Sequence, residues 1–305
     1  MEVLLATCLA ANNPTSQHPN KPNSKLVDTP YPQFTVLMMS SSPVVSVVIP
    51  CWDGAGKYVE EAVGSVERST GVLYEIILVD DGSFDPVLRA ALERIGLRGH
   101  RVIRQAHAGP SAARNRGFAQ ARGKYVLPLD ADNRIEPRYL LKAVAAMDAC
   151  EKVGVVYADF QMFGEEERVL HLPDFDPVSL LMDNYIDMCS LIRRETWEDC
   201  GGFDEVIPVM EDLEFWLNAF TRGWQVHHLS EVLFSYRMHA DSFYHSVRED
   251  EKKQSLLTLW ERYYHFMRPA TIAARAALET QKAGAPPAPP PRARRWWEKI
   301  RPLRP

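Results

Sequence analysis

Two apolar runs in this chain end abruptly in carboxylates. Tyr74-Glu-Ile-Ile-Leu-Val79 leads into Asp80-Asp81-Gly82-Ser83, and Lys124–Leu129 leads into Asp130-Ala131-Asp132. A strand buried on both faces reads as a continuous apolar run, so each stretch fits a buried parallel strand. In an open parallel sheet, ligands bind at the carboxyl ends of the strands. Acids at one such end could be turn or helix caps. Acids at two of them repel one another unless a cation sits between them. Hard divalent cations take oxygen ligands, and Mg²⁺ or Mn²⁺ is usually shared with substrate phosphates. The Asp-x-Asp spacing, with small Ala131 between, sets Asp130 and Asp132 side by side, one in reach of a ribose and the other of a metal.

The rest of the first half alternates between the same two periods. Val44–Ile49 is a β-branched strand, Pro50–Gly56 a loop, and Lys57–Arg68 a helix with Tyr58, Ala62, Val63 and Val66 on one face. Asp85-Pro86 caps and opens a second helix carrying Leu88, Ala91, Leu92 and Ile95, with Gly96 as its close. Arg101–Arg104 reads as a strand, Ser111–Arg122 as a helix ended by Gly123, Pro137 as the start of a helix, and Val153–Phe160 as a strand. This βαβ alternation predicts an α/β fold, Rossmann-like, with a mostly parallel sheet and helices on both faces. Further on, the pattern predicts strands at Met188–Ile192 and Gln225–Leu229, a turn at Gly201-Gly202 and a helix from about Asp212 to Thr221. Glu251–Met267 is amphipathic, with Leu256, Trp260, Tyr263 and Met267 at helical spacing.

With 305 residues, 46% of them hydrophobic, the chain suits a single domain with residues left over at both ends. Residues 1–42 read as a disordered tail, and the first 37 as that or an over-extended start before Met38 or Met39. The domain spans 43–268, split into a nucleotide-binding half (43–133) and an acceptor half (134–268). Residues 269–305 form a Pro-rich, basic tail. From Ala283 on it holds six Lys/Arg, one acid and the pair Trp296-Trp297. That composition suits either a peripheral contact with anionic lipid or a solvated extension. No apolar run reaches the roughly 20 residues that cross a bilayer. Cys8, Cys51, Cys150, Cys189 and Cys200 are scattered and form no CxxC pair, which fits a reducing cytoplasm and simple packing roles. A net charge of -5 argues against a nucleic-acid partner.

From about Pro43 to Ser242 the chain resembles a family 2 glycosyltransferase of the GT-A fold. The resemblance is carried by Val45-Ser-Val-Val-Ile-Pro50, Val79-Asp-Asp-Gly-Ser83, Gly109-Pro-Ser-Ala-Ala-Arg-Asn115 and Leu129-Asp-Ala-Asp-Asn133, then by Gly201-Gly-Phe-Asp204, Glu211-Asp212 and Tyr236-Arg-Met-His239. It implies donor-nucleotide contacts at Pro50, Asp53, Asp80, Asp81, Arg114 and Asp130. A carboxylate at Asp80-Asp81 can accept from a uracil imide N–H, and a guanidinium at Arg114 suits a base edge or a diphosphate. The resemblance further implies Mn²⁺ or Mg²⁺ on Asp132, joined by His239, and a general base at Glu211-Asp212, with Asp212 taking the proton and Glu211 supporting it. One departure is the first loop, Pro50-Cys51-Trp52-Asp53, where the family commonly has an aromatic followed by Asn.

The implied reaction is transfer of a single sugar, with inversion, from a nucleotide sugar (UDP-linked) to a hydroxyl of a glycan, glycolipid or other acceptor in cell-envelope polysaccharide synthesis. No Q-x-x-R-W follows the Glu-Asp pair, which speaks against processive extrusion. Two alternatives stay open: a non-catalytic nucleotide-sugar-binding relative, and a sugar-nucleotide nucleotidyltransferase. A dehydrogenase is disfavoured because Val59 stands where the third glycine of G-x-G-x-x-G belongs.

Overall fold

Residues 42–239 and 247–282 are described by the structure, a computed structural model, with side-chain environments through residue 266. The expected tail before residue 42, the alternative starts at Met38 and Met39, Cys8, and the Pro-rich basic stretch from Ala283 lie outside these residues. Strands β1 (Val45–Cys51), β2 (Tyr74–Asp80), β3 (Arg101–Arg104) and β4 (Tyr125–Pro128) form the parallel half of one sheet, in the order β3-β2-β1-β4. The sheet continues through β8 (Leu191–Arg193), β6 (Val153–Gly164), β9 (Gln225–Met238) and β5 (Arg134–Ile135), with β7 (Arg168–Leu170) also on β6. β6 and β9 are parallel, while β8, β5 and β7 pair antiparallel. The chain builds outward from β1 to β3, then returns to lay β4 on β1's other side. The carboxyl ends of β1 and β4 therefore open a crevice at the point where the strand order reverses.

Alternation along the strands feeds two cores. Val45, Val47, Ile49, Ile76 and Leu78 face one side, packed by α1 (Val59–Glu67), α2 (Pro86–Leu97) and α4 (Tyr139–Ala149). Val48, Ile77 and Val79 face the other, against α3 (Pro110–Phe118) and α7 (Glu211–Thr221). The short helices α5 (Pro177–Met182) and α6 (Arg194–Cys200) and the long α8 (Glu249–Lys282) join that second side. Each fully buried Val, Ile or Leu contributes about 1.5–3 kcal/mol relative to exposure. Asp85 caps α2 as expected, its carboxylate accepting from Val87 N at 2.9 Å.

Several boundaries differ from the sequence reading. The second helix runs past Gly96 to Leu97, and the left-handed glycine that follows is Gly99 (φ 95°). The third helix stops at Phe118 rather than Arg122, because the N–H groups of Arg122 and Gly123 bond to Glu75 and Ser46 of neighbouring strands. The strand expected at Met188–Ile192 begins only at Leu191. Asp187 accepts from Cys189 N at 2.8 Å, and Ser190 N reaches back to Met188 O, so 187–190 turn instead. β9 was expected to end at Leu229 but continues to Met238, carried past Ser230-Glu231 by irregularities in its pairing with β6. The last helix extends to Lys282, past the expected tail boundary at 269. Its buried stripe is Ser255, Leu259 and Tyr263; of the expected face, Tyr263 is buried, Trp260 packs half-buried on the second core and Leu256 is half-buried.

Candidate active site

At the strand-order reversal lies a cleft of about 660 Å³. Every candidate residue except Asp80 lines it: Pro50, Asp53, Asp81, Arg114, Asp130, Asp132, Glu211, Asp212 and His239. Asp80 lies beneath, 3% exposed, with Oδ1 accepting from Ser83 N and Oδ2 3.3 Å from Arg104 Nε. Its geometry is that of a turn cap. Asp81 is drawn into the cleft wall by the 105–109 loop, accepting from Gln105 Nε2, Ala108 N and Gly109 N at 2.8–2.9 Å, with His107 Nδ1 2.8 Å away. Gly82 makes this approach possible, since a Cβ there would stand 2.7 Å from His107 N.

Asp53 takes the end of the first loop into the second. Its Oδ1 accepts from Ser83 Oγ, Phe84 N and Asp85 N at 2.5–2.8 Å. These bonds, Ser83's first, hold its carboxyl below the usual carboxylate range. Beside it, Trp52 stacks on His107, with centroids 3.8 Å apart and planes 26° from parallel. That flat aromatic pair forms one side of the cleft mouth, and the sequence reading assigned neither ring a role.

Arg114 is the central cation. Helix α3 sits unusually close to β1 because Gly117 has no side chain: a Cβ there would be 2.3 Å from Val48 Cγ1. Arg114, one turn earlier on the same face, thus reaches over the strand ends and is 5% exposed. Its Nη1 bonds Glu211 Oε1 at 2.5 Å and its Nη2 bonds Asp130 Oδ1 at 2.8 Å. Burial opposes its charge, but Asp130 and Glu211 outweigh that and raise its pKa. Asp130 is itself raised, by burial first and by Asp132 and Glu211 after Arg114's opposing pull.

Asp132, just before β5, and His239, just after β9, meet in the cleft. Asn133 Oδ1 accepts from Arg237 N at 2.8 Å, and Arg237 Nε bonds Asp132 O at 2.9 Å. This clamp sets His239 Nε2 2.9 Å from Asp132 Oδ2, while His239 Nδ1 is buried without a partner. Among the described residues no three His, Cys, Asp or Glu side chains form a complete metal cage. One carboxylate and one imidazole fit a hard divalent cation that takes its remaining ligands from phosphate oxygens and water.

Glu211 and Asp212 open α7 after Met210, whose φ of 67° makes it the one non-glycine residue with positive φ among those described. Strain of this kind clusters at functional sites. Asp212 Oδ1 accepts from Leu213 N at 2.7 Å and Oδ2 from Asn184 Nδ2 at 3.0 Å. Burial, then the charge of Glu211, pushes the Asp212 carboxyl up to about 7. Facing it is Asp187, pushed up to about 8 by burial and then by Asp130. Asn184, Asp187, Met210 and the Trp52–His107 pair are cleft features that sequence reasoning missed. A hydrogen-bonding residue in an irregular segment such as 183–190 carries no periodic signal.

His227 and His228, which the sequence left without a role, lie away from the cleft on β9, where His228 Nε2 is 2.8 Å from the buried Asp159.

An open α/β sheet whose strand-order reversal holds this acidic, arginine-bridged cleft defines a GT-A glycosyltransferase. The chain belongs to the family described as Glycosyl transferase family 2, whose sequence model matches residues 46–203. It is 26% identical over 238 residues to the putative teichuronic acid biosynthesis glycosyltransferase TuaG of Bacillus subtilis, covering 76% of this chain and 93% of TuaG. It is 29% identical over 213 residues to the O-antigen biosynthesis protein RfbC of Myxococcus xanthus, covering 67% of this chain. The chain spans only 16% of RfbC and 23% of another relative, the protein y4gI of Sinorhizobium fredii. Among solved structures, S. aureus TarS 1-349 in complex with UDP matches with a TM-score of 0.55 and 21% identity, over 78% of this chain and 76% of that one. The mannosyltransferase PcManGT of Pyrobaculum calidifontis, in complex with GDP-Man and Mn²⁺, matches with a TM-score of 0.53 and 18% identity, over 81% and 77%. These likenesses establish the fold. Among the described residues, no helix is long and apolar enough to cross a membrane.

Proposed function

We propose that this glycosyltransferase moves one sugar, with inversion, from a UDP-linked donor to an acceptor hydroxyl of a glycan or glycolipid, and that it requires Mn²⁺ or Mg²⁺. The observation that carries the reading is the convergence, in one cleft, of the Arg114–Asp130 pair, the Asp132–His239 pair and the Asp212 carboxyl. The TarS and PcManGT complexes with UDP and with GDP-Man and Mn²⁺ support it by fold likeness.

Trp52 and His107 offer a flat apolar face to a nucleobase beside Asp53 and Asp81. Asp130, at a strand end, is in reach of the ribose, with Arg114 behind it. Asp132 and His239 would hold the divalent cation, which when bound offsets charge on the departing diphosphate. Asp212 takes the proton from the acceptor hydroxyl as it attacks the anomeric carbon. Near pH 7 a carboxyl poised at about 7 is partly ionised and still a competent proton acceptor. Glu211, tied to Arg114, holds the start of α7 in place. The basic tail would add a peripheral contact with anionic lipid, read by liposome co-sedimentation of the full chain against one ending at Gly284.

The test is a panel of UDP- and GDP-sugars, scored for donor hydrolysis and transfer with Mn²⁺, with Mg²⁺ and with excess chelator. Metal-dependent turnover of a UDP-sugar supports the reading. Binding without turnover across the panel points to a non-catalytic relative, and pyrophosphate release from a nucleoside triphosphate with a sugar phosphate points to a nucleotidyltransferase.

A further inference from the structure

We propose that Asn184 is a positioning residue for the base: its amide aims Asp212 Oδ2 into the cleft and favours the ionised carboxylate. This rests on the assignment of Asp212 as base. Asn184 lies in the irregular segment between α5 and β8, far from α7 in sequence, and reaches Asp212 across the cleft floor. The two oxygens of Asp212 are divided between two partners. Oδ1 accepts from Leu213 N, fixing the carboxyl against its own helix start, and Oδ2 accepts from Asn184 Nδ2 at 3.0 Å. Removing the second bond frees rotation of the carboxyl about the first.

The direction of the amide carries chemical information. Asn184 Oδ1 is buried and has no partner. The opposite orientation would satisfy Asp212 only when its carboxyl carries the proton. The orientation seen, with Nδ2 toward the carboxylate, stabilises the charged form and leaves the carbonyl unsatisfied. Charge-assisted bonds outweigh neutral ones, so this orientation matches an ionised Asp212. The groups facing Asp212 otherwise pull in opposite directions. Glu211 and Asp187 are acidic and favour the protonated form, as does burial, while Arg114 favours the ionised one. Asn184 therefore supplies one of few local interactions that keep a buried acid available as a base near neutrality.

The experiment compares wild type with Asn184→Leu, a near-isosteric change that keeps the packing and deletes the amide, and with Asn184→Asp, which sets a second acid against the first. Loss of one hydrogen bond to the charged form raises the base's midpoint by about one pH unit. Starting from about 7, the ionised fraction at pH 7 then falls roughly fivefold. Turnover of the donor found in the nucleotide-sugar panel, with water as acceptor, should drop by that factor at pH 7 in N184L and nearly recover by pH 8.5, with KM for the donor unchanged. N184D should show a larger shift in the same direction. A loss equal at all pH values, or a rise in donor KM without a moved acid limb, overturns the proposal and makes Asn184 a packing residue. A second readout needs no turnover. In protein labelled with ¹³C at aspartate carboxyls, the resonance that disappears in Asp212→Asn is titrated in wild type and in N184L, and its midpoint should rise in the variant. An unmoved midpoint refutes the proposal even if the enzyme is active. A moved midpoint in a protein that turns over no nucleotide sugar upholds the contact while the proposed function fails.

Discussion

Replacing Arg114 by Met tests the electrostatics of the whole cleft. Arg114 holds Glu211 and Asp130, and Asp187 and Asp212 also sense its charge. Methionine fills much of the same volume but leaves these acids facing one another. Breaking a buried pair by removing one partner typically costs 3–5 kcal/mol, on the order of a third of a domain's stability. Most of that loss should fall on Glu211, whose side chain is 12% exposed; Asp130, at 32%, is partly screened by solvent.

The acids respond by holding protons, which gives the prediction its sign. Asp130, Asp187 and Asp212 already stand above the ordinary carboxylate range, and without the guanidinium that pulls them down they rise further above their unfolded values. The native state then binds protons that the unfolded chain has released, so stability falls as pH rises. A single carboxyl titrating across pH 5.5 to 8 contributes up to about 3 kcal/mol over that interval. Urea unfolding of Arg114→Met should therefore show a loss of roughly 3–5 kcal/mol at pH 8 that shrinks to about 1–2 kcal/mol at pH 5.5. Arg114→Lys, with its charge kept but its fork lost, should fall between variant and wild type at pH 8. A loss under about 1 kcal/mol at pH 8, or one equal at both pH values, would refute the view that Arg114 neutralises the cleft.

Three further outcomes follow from the same geometry. Asp212→Asn should keep donor affinity, measured by calorimetry, and lower turnover by about 10²-fold or more, the usual scale for removing a general base. Asp132→Asn and His239→Ala should each weaken the Mn²⁺ or Mg²⁺ dependence of donor hydrolysis, read as a higher metal concentration at half-maximal rate; full wild-type activity in excess chelator would remove the metal assignment. Gly117→Ala should destabilise by about 1–2 kcal/mol in urea unfolding despite alanine's better helix propensity, because its methyl would drive into Val48.

The parallel half of the fold was legible because its signals are local. β-branched runs, the Asp85-Pro86 cap and the apolar faces of the helices each specify structure within about ten residues. Boundaries failed where a distant group took the backbone's hydrogen bonds. Ser46 and Glu75 stop α3 from outside, and no propensity at Ala119–Arg122 announces it. β9 shows the opposite failure. Ser230-Glu231 reads as a strand end, yet pairing with β6 carries the strand on for another turn of sequence, and that extension delivers His239 to Asp132.

The cleft lining was legible where an acid stands at a strand or helix end, and illegible in the irregular segments that supply Asn184, Asp187 and His107. Asp130, Asp132, Glu211 and Asp212 stand at such ends, so an acid there has few alternative uses. Asp80 has the same sequence signal as Asp81, and only the backbone decides between them. The left-handed Gly82 curls the loop so that Ser83 N closes on Asp80, and Asp81 is left to face the cleft. Adjacent residues on extended backbone point to opposite sides, so the paired Asp-Asp at this strand end places one carboxylate in the cleft wall and the other on the turn. The same reasoning applies to Glu211-Asp212 with a different result. At a helix start both side chains emerge within 100° of each other, so both enter the cleft, and their charges couple. The raised carboxyl of Asp212 is a consequence of burial first and of that charge coupling second. A buried carboxyl at this position is thus tuned by its own sequence neighbour, with Asn184 and Arg114 pulling the other way.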